Sequence, residues 1–256
     1  MAALRWVFFD VGNVLLNEDP LTFFSFLRHA EAVCRARPER TYRDVLAARE
    51  AKAAAGALWP VYEVVSEVLS PAECDSLWEE TAREVRGRFA ELSPLIPGAR
   101  EVVEQLACGF RLGLIANQGP ECRAWLGKLG VLEQFEVVAF SDELGQAKPD
   151  LGLYRLGLDK AGAEPGECVM VGDRLENDIL PASRLGMATV WVRWARRETK
   201  GWKPRDPRAR DYLQSLDRLE ARQPASPLAT VIVDNLSGLD TLLDSARETL
   251  SPKNVN

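Results

Sequence analysis

The stretch Trp6-Val-Phe-Phe-Asp-Val-Gly-Asn-Val-Leu-Leu16 opens with four apolar residues and changes character at Asp10. An uninterrupted apolar run is typical of a strand that is buried on both faces of a parallel sheet. The Gly12-Asn13 pair favours a turn directly afterwards. Open α/β sheets bind their ligands at the carboxyl ends of the strands. Asp10 is therefore a candidate site residue, and the alternative is a carboxylate that only caps the turn.

A second apolar run, Cys168-Val-Met-Val-Gly-Asp173, ends in the same way, and Asn177-Asp178 follows it. Two strand ends thus supply three carboxylates. Mg2+ is a hard cation that binds oxygen ligands, typically a few carboxylates together with water and phosphate. Lys148, a lysine beside a proline, lies between the two runs and can balance the acidic charge. The pattern predicts a magnesium site at the carboxyl edge of a parallel sheet.

These residues resemble the four motifs of the haloacid dehalogenase-like (HAD) hydrolase superfamily, which occur in the same order. The matching stretches are Phe9-Asp10-Val-Gly-Asn-Val-Leu15, Leu114-Ile-Ala-Asn117, Lys148-Pro-Asp150 and Gly172-Asp-Arg-Leu-Glu-Asn-Asp178. The resemblance covers about residues 5 to 194. It implies a Rossmann-like parallel sheet and points to the subfamily with an all-helical cap inserted after the first motif.

The order of the predicted elements agrees with that architecture. From residue 94 onward, strand patterns alternate with helical ones, which predicts an α/β fold with a doubly wound parallel sheet. Residues 17–93 show helical periodicity and contain the helix-start signal Ser70-Pro-Ala-Glu73. We therefore expect a catalytic core of residues 1–16 and 94–256 and a helical cap of residues 17–93. In the resembled superfamily such a cap covers the active site and selects the substrate.

Composition narrows the classes of function. The 256 residues carry 32 basic and 38 acidic side chains, and the net charge of −6 argues against a general nucleic-acid binder. No apolar run approaches the roughly 18 to 20 residues of a membrane span, and because the first strand follows the N-terminal residues at once, we expect no signal peptide. Five cysteines without a CxxC pair favour reduced core thiols in a cytoplasmic protein. The single histidine, His29, argues against a His-based triad or zinc site and is interpreted as a partly buried cap residue.

Residues 193–210 are strongly basic. Eight basic side chains and two acidic ones, Glu198 and Asp206, give this stretch a charge of +6, so the rest of the chain carries −12. The basic residues are Arg193, Arg196, Arg197, Lys200, Lys203, Arg205, Arg208 and Arg210. Trp194 and Trp202 are interleaved, and two prolines argue for a loop. One interpretation is a positive rim that gathers an anionic substrate. The other is a solvated loop whose tryptophans pack locally.

The resemblance implies roles for the motif residues. Asp10 is the nucleophile and a metal ligand, and the carbonyl of Gly12 is a second ligand. Asp173 binds Mg2+, while Asp178 either ligates it or holds its waters. Lys148 neutralises Asp10 and the phosphoryl oxygens. A carboxylate nucleophile divides phosphate ester hydrolysis into two steps through an aspartyl-phosphate, and two anions then meet, so a metal and a lysine must offset their charge.

The resemblance also implies that the phosphate is bound by Asn117 and by the backbone amides of residues 11 to 13, including Gly12 and Asn13. Two positions depart from the superfamily pattern: its phosphatases carry a second aspartate where this chain has Gly12, and Ser or Thr where it has Ala116. The missing aspartate is a general acid–base catalyst, a contribution typically worth about 10² to 10⁴ in rate.

We predict an Mg2+-dependent HAD-like phosphatase that acts on a small phosphorylated metabolite. One alternative is a dehalogenase-type hydrolase that attacks carbon with Asp10. The other is a non-catalytic member that binds a phosphorylated ligand or a protein partner.

Overall fold

The fold contains a six-stranded parallel sheet. The computed structural model describes residues 3–194, 197–222, 226 and 228–247. The strands are β1 (Trp6–Phe9), β2 (Arg111–Ala116), β3 (Val137–Phe140), β4 (Cys168–Gly172), β5 (Ala188–Val192) and β6 (Val231–Val233). Their spatial order is β3-β2-β1-β4-β5-β6, and every pairing is parallel. This is the strand order of the doubly wound Rossmann fold, which confirms the predicted fold class.

The chain divides into two compact units. The first, called the sheet unit, is built from Met1–Asn17, Pro94–Gly201 and Ser226–Asn256. The second, called the helical unit, is built from Glu18–Ser93 and Trp202–Ala225. Within the predicted core, residues 1, 2, 195, 196, 223–225, 227 and 248–256 lie outside the described part of the chain.

Both units contain helices that follow the predicted pattern. The helices are α1 (Asp19–Ala36), α2 (Tyr42–Ala54), α3 (Pro60–Ser66), α4 (Pro71–Gly87), α5 (Phe89–Leu92), α6 (Ala99–Ala107), α7 (Pro120–Lys128), α8 (Ser141–Leu144), α9 (Leu151–Ala161), α10 (Leu180–Leu185), α11 (Pro207–Ala221) and α12 (Leu239–Ser245). Ser70 accepts a hydrogen bond from the Glu73 amide and starts α4 with the predicted capping box. Nowhere in the described part does a helix combine the length and the apolar character that a membrane span needs.

The central strands are buried because they carry no polar side chain. All four residues of β1 and all five of β4 are buried. Gly113 on β2 lies against the ring of Phe8, and a Cβ at that position would come within 2.4 Å of a ring carbon. A glycine is therefore needed where β2 packs beside β1. This close packing favours a single register between β1 and β2.

The helical unit has its own apolar core. Phe26 of α1 stacks on Tyr212 of α11 with a centroid separation of 5.2 Å, and the hydroxyl of Tyr42 donates to the Arg208 carbonyl at 2.9 Å. The sequence assigns residues 202–225 to the core with the sheet, but the described part of this stretch, residues 202–222, belongs to the helical unit. The reason is physical: the buried face of α11, including Ala209 and Tyr212, completes the apolar cluster of α1.

The five cysteines are free thiols. Cys74, Cys122 and Cys168 are buried, as expected of core thiols. Cys108 is exposed and Cys34 is half-buried, so the core prediction fails for these two residues.

Candidate active site

Three polar residues meet at the carboxyl edge of the sheet because their strands are neighbours. Asp10 follows β1, Asn117 follows β2 and Asp173 follows β4. In the ladder, Phe9 at the end of β1 pairs with Leu114 and with Val171. The Asp10 amide extends the ladder by donating to the Val171 carbonyl at 2.9 Å. The register thus fixes the main chain of Asp10 beside β4.

The three predicted metal-binding aspartates form one cluster. Asp10, Asp173 and Asp178 each place a carboxylate oxygen within 4.8 Å of the others. Asp178 is fully buried, and its Oδ2 accepts a hydrogen bond from the Arg174 amide at 2.9 Å. A Cβ on Gly172 would lie 2.3 Å from the Asp178 Cβ. Only glycine at the end of β4 leaves room for this carboxylate to reach Asp10.

A π-helical turn positions Asp178. Leu175–Ile179 forms this turn directly after β4, and π-helical turns occur frequently at functional sites. The hydroxyl of the buried Tyr154 donates a short hydrogen bond to the Asn177 carbonyl and approaches the Asp178 carbonyl at 3.4 Å. Burial, followed by the charges of Asp178 and Asp10, raises the pKa of Tyr154 well above its ordinary value. Tyr154 is therefore a neutral hydrogen-bond donor beneath the turn.

Lys148 connects two of the three carboxylates. Its Nζ lies 2.7 Å from Asp10 Oδ1 and 2.5 Å from Asp178 Oδ1, and the side chain is almost fully buried. Burial alone lowers the pKa of Lys148, but the charges and hydrogen bonds of the two aspartates outweigh burial and raise the pKa above its ordinary value. Lys148 is therefore an ammonium at neutral pH.

Asn117 holds the main chain of Lys148. Its Oδ1 accepts from the Lys148 amide at 2.6 Å, and its Nδ2 donates to the Lys148 carbonyl at 3.0 Å. The resemblance assigns Asn117 to phosphate binding, whereas in the structure both ends of its carboxamide bond to this backbone. We therefore treat Asn117 as a residue that positions Lys148.

Asp173 has an unsatisfied oxygen. Its Oδ1 is shielded from solvent and has no hydrogen-bond partner, while its main-chain carbonyl accepts from Trp191 Nε1 at 2.9 Å. Burial, followed by the charges of Asp10 and Asp178, raises the pKa of Asp173 well above its ordinary value. A buried carboxylate without a partner is costly. The oxygen donors of this cluster fit a divalent cation, which would relieve that cost.

In the turn after Asp10, one of the backbone amides forms a hydrogen bond within the turn itself. Asn13 adopts a left-handed conformation with φ 53°, and its amide donates to the Leu16 carbonyl at 2.7 Å. The predicted phosphate cradle includes this amide, which is instead engaged within the turn. Gly12 forms a bridge with Leu16 and is not among the described glycines with positive φ.

Two further residues bind this turn and a third anchors one of them, and none of the three was identified from the sequence as a site residue. Trp194 Nε1 donates to the Asn13 carbonyl at 2.7 Å, Lys200 Nζ donates to Asn13 Oδ1 at 2.9 Å, and Asn17 Nδ2 donates to the Lys200 carbonyl at 3.0 Å. Charge had grouped Lys200 with the basic stretch, although it is buried. In the sequence, the apolar Trp194 within this basic stretch was the feature that could have indicated a buried contact.

The residues of the basic stretch 193–210 lie in several different environments. Trp202 packs on Phe23 in the helical unit, with ring centroids 5.8 Å apart, and Arg208 pairs with Asp206 and Glu31. Arg196 lies outside the described residues. Lys203, Arg205 and Arg210 are exposed.

Comparison with known proteins identifies the family. The family model described as haloacid dehalogenase-like hydrolase matches residues 4–186. The chain belongs to this family.

Relatives of this HAD-like hydrolase include several named phosphatases. It is 38% identical over 107 residues to the glyceraldehyde 3-phosphate phosphatase of Methanocaldococcus jannaschii, a match that spans 41% of this chain and 46% of the relative. The chain thus spans about half the length of such relatives. It is 26% identical over 208 residues to the pyrimidine 5'-nucleotidase YjjG of Escherichia coli, which covers 75% of this chain and 88% of that protein.

Solved structures share the fold at low sequence identity. A predicted phosphoglycolate phosphatase from Haemophilus somnus aligns with a TM-score of 0.63 and 19% identity, covering 94% of this chain and 99% of that one. A 2-haloacid dehalogenase from Pseudomonas syringae aligns with a TM-score of 0.55 and 20% identity, over 94% and 99% of the two chains. The fold therefore occurs with both chemistries, so residues of the site must distinguish them.

Proposed function

We propose that this HAD-like hydrolase is an Mg2+-dependent phosphatase that acts on a small phosphorylated metabolite. The observation that carries the proposal is the shielded, unpartnered Oδ1 of Asp173, in a cluster of three aspartates that each place a carboxylate oxygen within 4.8 Å of the others. A reaction at carbon that needs no metal gives no reason to keep a third carboxylate in this position. The names of the phosphatase relatives support the same assignment.

The metal would be held by Asp10, Asp173 and the Gly12 carbonyl. Both oxygens of Asp178 already accept hydrogen bonds, from Lys148 and from the Arg174 amide. This engagement favours Asp178 as a residue that holds metal-bound water. When bound, a divalent cation offsets the charge of the carboxylates and of the phosphoryl group.

Asp10 would attack phosphorus with a carboxylate oxygen while the ester oxygen leaves, so that an acyl phosphate forms on Asp10. Water then cleaves it, which releases inorganic phosphate and regenerates the carboxylate. Lys148 would hold Asp10 at 2.7 Å and offer its charge to the phosphoryl oxygens. Asn117 contributes by fixing the Lys148 backbone on both sides. Gly12 and the Asn13 side chain would border the bound phosphate.

We infer that residues 17–93 act as the cap that selects the substrate. Glu18–Ser93 belongs to a compact unit of its own together with Trp202–Ala225, which supports this role, while Asn17 belongs to the sheet unit. The net charge of −6 supports a small-molecule substrate over a nucleic acid. The free thiols favour a cytoplasmic location.

The decisive experiment measures release of inorganic phosphate from an aryl phosphate with Mg2+ and with EDTA. We expect metal-dependent turnover in wild type and none in Asp10→Asn, with the fold retained. A panel with glyceraldehyde 3-phosphate, phosphoserine and pyrimidine nucleotides would then rank substrates. Halide release from a 2-haloacid in EDTA, without phosphate release, would instead assign the dehalogenase reaction. Binding of phosphorylated ligands without either reaction would assign the non-catalytic alternative.

A further inference from the structure

Arg174 lies directly beside the cluster of Asp10, Asp173 and Asp178, and its side chain has no role in the proposed reaction. It follows Asp173 in the chain. Its amide donates to Asp178 Oδ2 at 2.9 Å, and its carbonyl accepts from the Asp178 amide at 2.8 Å. The main chain of Arg174 is thus fixed at two points by a residue of the cluster. Consecutive Cα atoms are about 3.8 Å apart, so the arginine side chain begins next to Asp173 at the carboxyl edge of the sheet.

The guanidinium group of Arg174 is not used within the fold. Arg174 is exposed, and among the residues that the structure describes its side chain has no hydrogen bond, ion pair or ring contact. The cation that pairs with the cluster is instead Lys148, which binds Asp10 and Asp178 from a buried position. A guanidinium carries five N–H donors in a planar fork that matches a carboxylate or a phosphate. The fork of Arg174 is therefore available to a ligand.

A second arginine lies at the same level of the neighbouring strand. Gly172 pairs with Trp191 in the ladder between β4 and β5, so Arg174 and Arg193 each follow a paired residue by two positions. The guanidinium of Arg193 lies 4.8 Å over the Trp191 ring. Trp191 Nε1 in turn donates to the carbonyl of Asp173, in the peptide that joins Asp173 to Arg174. The carboxyl ends of two adjacent strands therefore each carry an arginine on the same side of the cluster.

The charge of the cluster indicates which substrates such arginines would favour. Lys148 and a divalent cation together offset the three carboxylates, and both would also face the phosphoryl group. A substrate that carries a further carboxylate or phosphate brings an anion for which the cluster has no remaining cation. Arg174 and Arg193, at the ends of β4 and β5, supply positive charge beside the cluster for that second group.

We propose that Arg174 is a specificity residue whose guanidinium binds a second oxyanion, a carboxylate or a phosphate, on the leaving group of the phosphate ester. The positive charge of Arg193 favours the same ligand. The inference rests on the proposed phosphatase function and narrows its substrate class to phosphate monoesters that carry another anionic group.

The test compares pairs of esters that differ only in the second group. In 3-phosphoglycerate a carboxylate replaces the hydroxymethyl group of glycerol 3-phosphate, and propane-1,3-diol bisphosphate carries a second phosphate where 3-hydroxypropyl phosphate has a hydroxyl. In at least one pair, we expect the wild-type kcat/KM to be about 10- to 100-fold higher for the more anionic ester, the range for hydrogen bonds to a charged group. The pair that shows this preference identifies the second group.

Arg174→Gln should remove most of this preference, because it removes the charge and the planar fork. Arg174→Lys keeps the charge and should recover part of the preference, since an ammonium cannot present two parallel N–H donors. Arg184→Gln is the matched control, because it makes the same change at an exposed arginine of α10 in the same unit. It should keep the wild-type preference.

The ratio of kcat/KM within a pair separates recognition from structural damage, because damage to the site lowers both values together. A wild type without preference in either pair overturns the proposal, and so does an Arg174→Gln variant that keeps the wild-type ratio. If the wild type releases phosphate from none of the four esters, the proposed function fails. The affinities of the same esters, measured by calorimetry with Mg2+, then supply the ratio and decide on Arg174 independently.

Discussion

At the scale of single residues, Asp173 combines functional value with a cost in stability. Its Oδ1 is buried without a partner, and a buried polar group that lacks a hydrogen bond destabilises the fold. In the absence of metal, we expect Asp173→Ala to raise the free energy of unfolding by about 1 kcal/mol. The Mg2+ affinity of the same variant should fall at least about tenfold, because even the loss of a residue that only orients a metal ligand typically costs that much.

Urea unfolding in EDTA and titration with Mg2+ measure the two effects of Asp173→Ala. Asp142→Ala is the matched control, because Asp142 is exposed and lies in α8, directly after β3 on the same carboxyl edge of the sheet. We expect it to change neither quantity. Equal losses of Mg2+ affinity in the two variants would contradict the assignment of Asp173 to the metal.

Gly12 leads to a second prediction at this scale, on the choice of leaving group. The position lacks an acid, so an alkoxide must depart unprotonated, whereas aryl phosphates leave readily as anions. We expect wild-type single-turnover rates to fall steeply with the pKa of the leaving group. Gly12→Asp should have a shallower slope and recover up to about 10² to 10⁴ in rate on alkyl phosphates.

The φ angle of Gly12 does not oppose this substitution, since Gly12 is not among the described glycines with positive φ. Single turnovers are required because slow breakdown of the acyl phosphate would make steady-state rates alike. A folded Gly12→Asp protein that binds Mg2+ and keeps the wild-type slope would mean that another residue supplies the proton.

At the scale of secondary-structure elements, α1 contains a pH-sensitive contact. His29 Nδ1 donates to the Ser25 carbonyl at 2.6 Å, its Nε2 is buried without a partner, and its ring lies 3.9 Å from that of Trp78. Burial, and to a lesser extent the charge of Arg28, lowers the pKa of His29 below its ordinary value of 6.5, although the Ser25 bond opposes them. The folded protein therefore binds this proton less readily than the unfolded chain.

From this shift we predict a loss of stability in mild acid. Between the lowered folded pKa and the unfolded value of 6.5, the unfolded state binds more protons, so the free energy of unfolding falls as pH decreases. Above pH 6.5 the contribution should be constant. Urea unfolding of wild type and His29→Gln between pH 7.5 and pH 5 tests it, and the wild type should lose more stability than the variant. Parallel pH profiles would show that His29 does not carry the effect.

The elements also show what a sequence can predict. β1 and β4 were predictable because their apolar runs end abruptly in aspartates, and the capping box at Ser70 located the start of α4. The unit to which α11 belongs was not predictable, because burial of Tyr212 against Phe26 is a long-range contact without a local pattern. Lys200 was missed for a related reason: its charge is visible in the sequence, and its burial is not.

At the scale of the whole molecule, charge is distributed unevenly. Residues 193–210 carry +6 and the rest of the chain carries −12. If the whole stretch gathered an anionic substrate, the rate of encounter would depend strongly on salt. The structure divides the stretch differently, because Lys200 is buried at Asn13, Arg208 is paired, and Lys203, Arg205 and Arg210 are exposed.

This division predicts that neither the exposed nor the buried charges of the stretch determine how kcat/KM responds to salt. The Debye length shortens from about 30 Å to about 10 Å between 0.01 and 0.1 M salt, and buried charges are screened much less than exposed ones. We expect the variant with Lys203, Arg205 and Arg210 all changed to Gln to keep the wild-type dependence of kcat/KM on salt. Lys200→Met should lower kcat/KM by a similar factor at both salt concentrations, since its effect is local. A flatter salt dependence in the triple variant would restore the positive rim as the feature that gathers substrate, because only long-range attraction by exposed charges is screened in that way.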